Sequence, residues 1–347
     1  MNLLVITQSV GKNDENLGAF YYWWEEMARR VDHLTIIASA VGVHHLPSNV
    51  SVYSLGKEDG RGRLGRIWRF WELFSRHYAE CDAVLFHQIP EFVIAASPFI
   101  MSLRKPAVLW YAHKSVTRHL RIAERLVDWV ATSSPEGFRL PSKKAIYVGQ
   151  AINTDLFQPV ERPGSADDAA KPLRIISVGR ISPVKHYETL LRACTIGLHR
   201  WAWPWRLTIV GGPLAPGDLA YKEELERIVA ECGLVPYVEF VGSKVYEEIP
   251  IFLQSHDIFV NLSATGSLDK AVFEAMACGL SVITSNEAYR DILPARYFLS
   301  HAAPEELARQ IGKLADEKRP NQKLREIVVR RHSLRETVGR IMGLLAA

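Results

Sequence analysis

The stretch "TGSLDKAVFEAMACG", residues 265–279, decides how this chain folds. It opens with turn-forming residues, continues with the apolar spacing of a helix, and stops at Gly279 before the strand-like run "LSVIT". Two charges interrupt the pattern. The helix dipole disfavours a cation in the first turn, where Lys270 stands, and Glu274 lies among small and apolar residues. The pattern predicts a turn, a helix and a strand, and both charges call for a partner.

The composition is that of an ordinary globular protein, with 347 residues of which 48% are hydrophobic and 23% charged. This length favours two domains, and a net charge of +4 does not indicate a nucleic-acid partner. No run approaches the length of a transmembrane helix, and the opening "MNLLVITQSVG" indicates a core strand rather than a signal peptide. Four separated cysteines are typical of reduced thiols in a cytoplasmic protein.

Short β-branched runs alternate with helix-length segments in both halves of the chain. Apolar strands of this kind indicate parallel sheets covered on both faces, so the expected fold is α/β with two Rossmann-like domains facing each other across a cleft. Ligands in such sheets bind at the carboxyl ends of the strands. The predicted strands are 3–7, 33–38, 50–55, 83–88, 107–112, 129–134, 145–149, 173–179, 206–212, 238–243, 257–263, 280–285 and 297–300.

The segment "QPVERPGSADDAAKP" separates the two halves and has the composition of a linker. The predicted boundaries are a first Rossmann-like domain at 1–157, the linker at 158–172, a second Rossmann-like domain at 173–325 and a final helix at 326–347.

Cations follow two predicted strands of the second half. Gly179, Arg180 and Lys185 come after one strand, and Lys270 opens the helix that follows another. Helix N-termini supply N–H donors and the cations supply charge, so an anion such as a diphosphate fits between them. The alternative for each cation is a solvated surface charge. Neither a GxGxxG after the first strand nor a GxxxxGK[ST] is present, which argues against dinucleotide oxidoreductases and P-loop NTPases.

These motifs resemble those of retaining glycosyltransferases of family 4, which have the GT-B fold. "VGRISPVKHYETLLRA" (178–193) and "KAVFEAMACGLSVITS" (270–285) look like the two specific C-terminal signatures of that family. "NTDLFQP" (153–159) and "WYAHKS" (110–115) are weaker matches in the first half. The resemblance spans essentially the whole chain, and it implies that the final helix crosses back to the first domain.

The resemblance implies roles for individual residues. Arg180 and Lys185 would hold the diphosphate of the donor, and Glu274 would accept hydrogen bonds from the ribose hydroxyls. His113 would lie near the donor sugar, as a third catalytic residue; its alternative is a core histidine bonded to backbone, and that of Glu274 is a salt bridge to a neighbouring helix. The implied donor-binding set is Gly179, Arg180, Lys185, Gly266, Ser267, Leu268, Asp269, Lys270, Ala271 and Glu274.

The chain departs from the family pattern at a few positions. Gly266 stands where the family carries a first Glu that contacts the donor sugar. Asp269 is a candidate replacement carboxylate, with an ordinary N-cap or first-turn acid as its alternative. Lys270 replaces an apolar residue and is a candidate phosphate contact. Ser281 replaces the usual proline, with a minor effect expected.

The reaction implied is transfer of a sugar from a UDP- or GDP-linked donor to an acceptor hydroxyl, with retention of configuration. The chemical demand is stabilisation of charge on the leaving diphosphate, which fixed cations and N–H dipoles meet. No DxD-like motif lies near the phosphate residues, so neither a metal nor another cofactor is expected.

The acceptor, a carbohydrate or a lipid-linked sugar, is expected on the first domain, with Gly18 and His87 as candidate contacts. For His87 the alternative is a structural hydrogen bond. The segment "RGRLGRIWRFWELF" (61–74) interleaves arginines with aromatic residues. Such a helix could lie on an anionic membrane, which would make the protein peripheral on the inner face, or pack on its own sheet with arginines outward.

Two other functions compete with glycosyl transfer. One is a non-catalytic sugar-nucleotide-binding protein or partner subunit, which Gly266 favours. The other is a different GT-B enzyme, an epimerase or a phosphorylase.

Overall fold

The computed structural model describes residues 1–12, 14, 17–160, 172–263 and 265–347. They form two compact units. The first comprises Met1–Ala151 and Arg331–Ala347, and the second comprises Ile152–Arg330. Each unit is built on one sheet whose strands are all parallel.

The first unit has a seven-stranded sheet in the order β3-β2-β1-β4-β5-β6-β7. Its strands are β1 Asn2–Val10, β2 His33–Val41, β3 Val50–Ser54, β4 Ala83–His87, β5 Ala107–Trp110, β6 Trp129–Thr132 and β7 Ala145–Tyr147. Its helices are α1 Gly18–Ala28, α2 Arg63–Glu80, α3 Pro90–Ser102, α4 Arg118–Leu126 and, from the end of the sequence, α11 Leu334–Leu345.

Helices cover both faces of this sheet, because neighbouring residues of each strand point to opposite sides. On β1, Leu4 belongs to a core that includes buried residues of α2, α3 and α4. Leu3 belongs to a second core that includes Trp23 and Trp24 of α1 and Val338 of α11. The parallel strands are therefore apolar on both sides, as the sequence pattern predicts.

The second unit has a five-stranded sheet in the order β10-β9-β8-β11-β12. Its strands are β8 Leu173–Val178, β9 Trp205–Val210, β10 Val238–Gly242, β11 Ile258–Asn261 and β12 Ser281–Thr284. Its helices are α5 Tyr187–Arg200, α6 Pro216–Glu231, α7 Ile249–Gln254, α8 Lys270–Ala277, α9 Pro304–Leu314 and α10 Gln322–Arg331. One apolar core runs through the unit.

The boundaries of the observed units differ from the predicted domain boundaries. The predicted first domain includes residues 152–157, but Ile152 and Phe157 are buried in the core of the second unit. The predicted final helix that crosses back includes residues 326–330, but Val328 is buried in that same second core. The part of this helix pair that returns to the first unit is α11, with the residues from Arg331 that precede it. Of the predicted linker 158–172, residues 161–171 lie outside the described part of the chain.

One predicted strand, 297–300, is wrong. Pro294 begins a tight 3-10 turn at Ala295–Tyr297, and a single bridge between Phe298 and Thr284 is the sheet contact observed there. The other predicted strands coincide with observed ones to within a few residues.

Candidate functional site

The first group of site residues lies at the carboxyl end of β8. There the chain passes through Gly179 and Arg180 and reaches Lys185 in a 3-10 turn, Pro183–Lys185, that leads into α5. A Cβ atom added at Gly179 would lie 3.4 Å from Nζ of Lys185. Glycine at this position therefore leaves room for the ammonium group beside the end of the strand.

The second group lies in the loop 265–269, which leads from β11 to α8. Gly266 has a φ of +63°, in the left-handed region that favours glycine. Asn286 Nδ2 donates to the carbonyl of Ser267 at 2.8 Å, and the Tyr289 hydroxyl donates to the carbonyl of Asp269 at 2.5 Å. Leu268 is buried in the core. The loop is thus fixed by polar contacts to its backbone and by one apolar anchor.

The two groups meet through an ion pair between Lys185 Nζ and Asp269 Oδ2. Asp269 takes the N-cap position of α8 but directs its carboxylate to Lys185 instead of to the first-turn amides. The same oxygen accepts a 3.1 Å hydrogen bond from Asn261 Nδ2. Burial by itself raises the pKa of Asp269, but the charge of Lys185 and hydrogen bonds from Lys185, Asn261 and Ser263 outweigh it and lower the pKa. The carboxylate is therefore firmly ionised.

The two charges of α8, Lys270 and Glu274, stand four residues apart, about one turn of the helix. Burial raises the pKa of Glu274, and the charge of Lys270 and a hydrogen bond from Tyr246 oppose that rise. Burial lowers the pKa of Lys270, and the charge of Glu274 opposes that fall. The Tyr246 hydroxyl donates to Glu274 Oε1 at 2.9 Å. Lys270 and Glu274, the two charges that interrupt the apolar pattern of α8, thus interact with groups inside the second unit.

The side chain of Arg180 is more exposed than that of Lys185, and its ion pair is longer. Its side chain is 49% exposed, and Asp218 lies 4.0 Å from its Nε atom. Asp218 is also engaged at the start of α6, where it accepts a hydrogen bond from the backbone of Ala215 at 3.1 Å. The remaining predicted donor contact, Ala271, is half-buried in the first turn of α8.

The structure adds side chains that the sequence did not single out. Asn261 ends the apolar strand β11, and an amide at the carboxyl end of a buried strand is a signal that could have indicated it. Tyr246 comes from a turn before α7, and nothing in its local sequence indicates that it reaches Glu274.

The candidates from the first half lie in the first unit. His113 follows β5, is exposed, and accepts a 3.1 Å hydrogen bond at Nδ1 from the amide of Ser115. Gly18 is the buried first residue of α1. His87 ends β4 and is 1% exposed, with its Nδ1 atom 3.0 Å from the Thr7 hydroxyl and its ring 4.2 Å from that of Phe20. These contacts match the structural alternative for His87.

The segment 61–74 carries an exposed apolar stripe on α2. Leu64, Trp68 and Trp71 are 76%, 70% and 37% exposed, and the two indole rings meet edge to face at 5.7 Å. The opposite side of the helix, including Phe70 and Phe74, is buried against the sheet. In the described part of the chain, no helix combines the length and the apolar character needed to cross a bilayer.

Comparison with known proteins finds a family match within the second unit. Residues 172–317 match the family described as glycosyl transferases group 1. The glycosyltransferase AmsK of amylovoran biosynthesis in Erwinia amylovora is 34% identical over 128 residues, which cover 35% of this chain and 30% of AmsK. A D-inositol 3-phosphate glycosyltransferase of Rhodococcus erythropolis is 31% identical over 133 residues, which cover 36% of this chain and 30% of that protein. The chain thus spans less than half the length of these curated relatives.

A solved structure extends the likeness to the whole fold. The Anabaena protein Alr3699/HepE, crystallised with UDP and glucose, superposes with a TM-score of 0.76 at 17% identity and covers 100% of both chains. This likeness confirms the GT-B fold class, with two parallel-sheet α/β domains in one chain.

Proposed function

We propose that this chain, whose residues 172–317 form a glycosyl transferases group 1 domain, is a glycosyltransferase that moves a sugar from a nucleotide-diphosphate donor to an acceptor hydroxyl. The observation that carries the proposal is the convergence of Lys185, Lys270 and Glu274 at the carboxyl ends of β8 and β11. That edge of a parallel sheet is where such folds bind nucleotides.

In this function the cations and the first turn of α8 bind the diphosphate of the donor. Arg180, with its half-exposed side chain, and Lys185 supply positive charge, and the first amides of α8 supply donors. Their purpose is to stabilise the charge that develops on the leaving diphosphate. We propose that transfer is metal-independent, because these groups supply the positive charge, and that it retains the anomeric configuration.

Glu274 and His113 complete the proposed set. Tyr246 engages Oε1 of Glu274, so the ribose hydroxyls would bind at Oε2. The exposed ring of His113 would contact the donor sugar, as the resemblance of "WYAHKS" implies. His113→Asn would then lower kcat and leave the affinity for the free nucleotide unchanged. Loss of nucleotide binding would contradict this role.

The test of the donor is a thermal-shift panel with UDP, GDP, ADP and their common sugar conjugates. A nucleotide present at about 100 times its Kd stabilises the folded protein by about 2.7 kcal/mol. One nucleotide series should raise Tm, and Lys185→Ala should abolish that rise while the exposed control Lys323→Ala keeps it. An equal rise of Tm with nucleotide in both variants would contradict the assignment of Lys185 to the phosphate site.

A second candidate function, nucleotide binding without catalysis, is favoured by Gly266, which offers no carboxylate to a sugar. Slow hydrolysis of the bound nucleotide sugar by the purified protein separates the two functions. Measurable hydrolysis excludes the second, whereas binding without hydrolysis or transfer supports it.

We also propose that the exposed stripe of α2 attaches the protein to the anionic cytoplasmic leaflet, where a lipid-linked acceptor would lie. Exposed indoles beside arginines suit the headgroup region of such a membrane. Flotation with phosphatidylserine liposomes tests this. Arg66→Glu/Arg69→Glu and, separately, Trp68→Ser should lose binding, whereas Arg200→Glu/Arg227→Glu in the second unit should keep it. Unchanged flotation of the α2 variants would refute attachment.

A further inference from the structure

Asp269 occupies an unusual place among the donor-site residues. It is a carboxylate in a group of residues that must bind an anion, and it lies directly on the cation Lys185. A negative charge beside a diphosphate weakens its binding unless the charge does something else for the site. The contacts of Asp269 show what that is.

The side chain of Asp269 is held from several directions. Oδ2 accepts hydrogen bonds from Lys185 Nζ and from Asn261 Nδ2, the latter at 3.1 Å. The amide of Asn261 is fixed in turn, because its Oδ1 atom accepts from Thr284 Oγ1 at 3.3 Å. Donors from the carboxyl end of β11 and from the turn before α5 therefore converge on one carboxylate.

These bonds argue against a role for Asp269 as the sugar-contacting carboxylate that Gly266 fails to supply. A side chain that reaches for a sugar hydroxyl needs freedom to swing, and this carboxylate is only 19% exposed and is held through Oδ2 by Lys185 and by Asn261 of β11. Nor can position 266 supply the carboxylate readily, because Gly266 has a φ of +63°.

We propose that Asp269 is a positioning residue: it fixes the Lys185 ammonium beside the end of β8, with Asn261 as its support, and does not touch the donor sugar. The inference rests on the glycosyltransferase function proposed above. Lysine has a flexible stem and three ammonium hydrogens, so one bond to Asp269 orients the group and leaves two hydrogens for phosphate oxygens. A cation already in place costs no reorganisation when charge develops on the leaving group.

The proposal predicts a split between binding and turnover. Asp269→Asn removes a negative charge near the diphosphate, so the affinity for free UDP or GDP stays the same or tightens. The ammonium is no longer held in place, so kcat falls by about 10- to 100-fold. A sugar contact predicts something different, since its loss weakens binding of UDP-glucose or GDP-mannose while binding of the free nucleotide is unchanged.

The experiment measures Kd by calorimetry for UDP with UDP-glucose and for GDP with GDP-mannose, and kcat by release of the nucleotide. Asp269→Asn should lower kcat and leave the ratio of the two Kd values at its wild-type level. The exposed carboxylate Asp316 provides the matched control, Asp316→Asn, which should change neither quantity. A Kd ratio that rises about tenfold in Asp269→Asn would overturn the proposal in favour of a sugar contact.

Two further readouts cover the case in which the first variant folds poorly. Asn261→Ala leaves the ion pair but removes its support, so it should lower kcat in the same direction by a smaller factor. In the double variant Lys185→Met/Asp269→Asn, kcat should be no lower than in Lys185→Met alone, because both residues act through one ammonium. Fully additive losses would contradict positioning.

Chemical labelling of Lys185 in the absence of nucleotide tests the positioning role of Asp269 separately from the glycosyltransferase function. Labelling of Lys185 by acetic anhydride, followed by mass spectrometry, should be several times faster in Asp269→Asn than in the wild type or in Asp316→Asn. If the wild type binds neither nucleotide pair, the proposed function fails. If it binds and labelling of Lys185 is unchanged by Asp269→Asn, only the positioning role fails.

Discussion

At the scale of the residue, the pairing of Lys270 with Glu274 controls the charge balance of α8. Both groups are desolvated, so each depends on the other to remain charged. Their one-turn spacing is visible in the sequence, but the burial that makes it important comes from the core around Phe273 and Tyr246.

This dependence predicts a pH-sensitive loss of stability in Lys270→Met. Glu274 already has a raised pKa in the folded protein, so ionising it costs stability as the pH rises above its unfolded value. Without Lys270 that pKa rises further, at about 1.4 kcal/mol per unit. Urea unfolding should show a loss of about 1–3 kcal/mol at pH 8 and a smaller one at pH 5.5.

The control for this prediction is Lys313→Met, which removes an exposed lysine of α9 and should cost little at either pH. An equal loss at both pH values in Lys270→Met would mean that packing, not the charge of Glu274, explains the effect.

At this scale the sequence indicates individual site residues better than it indicates their partners. The motifs that begin at Val178 and Lys270 were enough to select Lys185 and Glu274. The partner of Lys185 is Asp269, 84 positions along the chain, and the partner of Glu274 is Tyr246, 28 positions away. Such pairs depend on how β8, β11 and α7 pack, which local spacing does not record.

At the scale of the element, α10 ties two parts of the second unit together. The guanidinium of Arg325 donates to the carbonyl of Ala277, at the carboxyl end of α8. It also donates to the carbonyls of Phe157 at 3.0 Å and of Thr154 at 3.4 Å. A cation suits the negative end of a helix, and the same cation holds the segment 152–157 on this unit.

We therefore expect Arg325→Met to lower the free energy of unfolding by about 2–4 kcal/mol, since charge-assisted bonds to three carbonyls are lost. Denaturant unfolding measures this. Arg330→Met on the same helix is the control, because Arg330 is exposed and lies 3.6 Å from Glu326. A cost no larger than that of the control would show that Arg325 does not secure α8.

Elements themselves were largely predictable because apolar runs of strand length record burial directly. The exception at 297–300 shows the limit. Its apolar residues are buried, as Tyr297 and Leu299 are, but Pro294 and the turn that follows place them against β12 without a ladder of backbone bonds. Burial alone cannot distinguish a strand from a packed turn.

At the scale of the whole molecule, the first unit is completed from far along the chain. α11 packs on α1, β4 and β5, and it buries Leu334, Val338, Ile341 and Leu345. Arg30 of α1 donates to the carbonyl of Arg335 at 2.9 Å. The apolar spacing of α11 predicts an amphipathic helix, but its place on the first unit was implied only by the family resemblance, because the pattern does not say which core receives it.

The consequence for stability is local to one unit. Val338→Asp would place a charge in the core of the first unit at a cost of several kcal/mol. Hydrogen exchange should then accelerate in α1, β4 and β5 and remain slow in β8 and β11. The control Arg335→Asp introduces the same residue on the exposed side of α11 and should change neither. Equal acceleration in both units would contradict this division.

The split first unit also sets an order of events during synthesis. The ribosome makes residues 1–151 first, yet α11 follows only after the 179 residues of 152–330 have been added (330 − 151). At about 5–20 residues per second, this delay lasts roughly 9–36 s. During that time the surfaces of α1 and β4 that α11 will cover stay open, while the second unit, which is continuous in sequence, can already close. Limited proteolysis of stalled nascent chains would show whether the later-made unit resists cleavage first. If so, translation speed and chaperone access, rather than stability at equilibrium, decide how much of the newly made protein reaches its folded state.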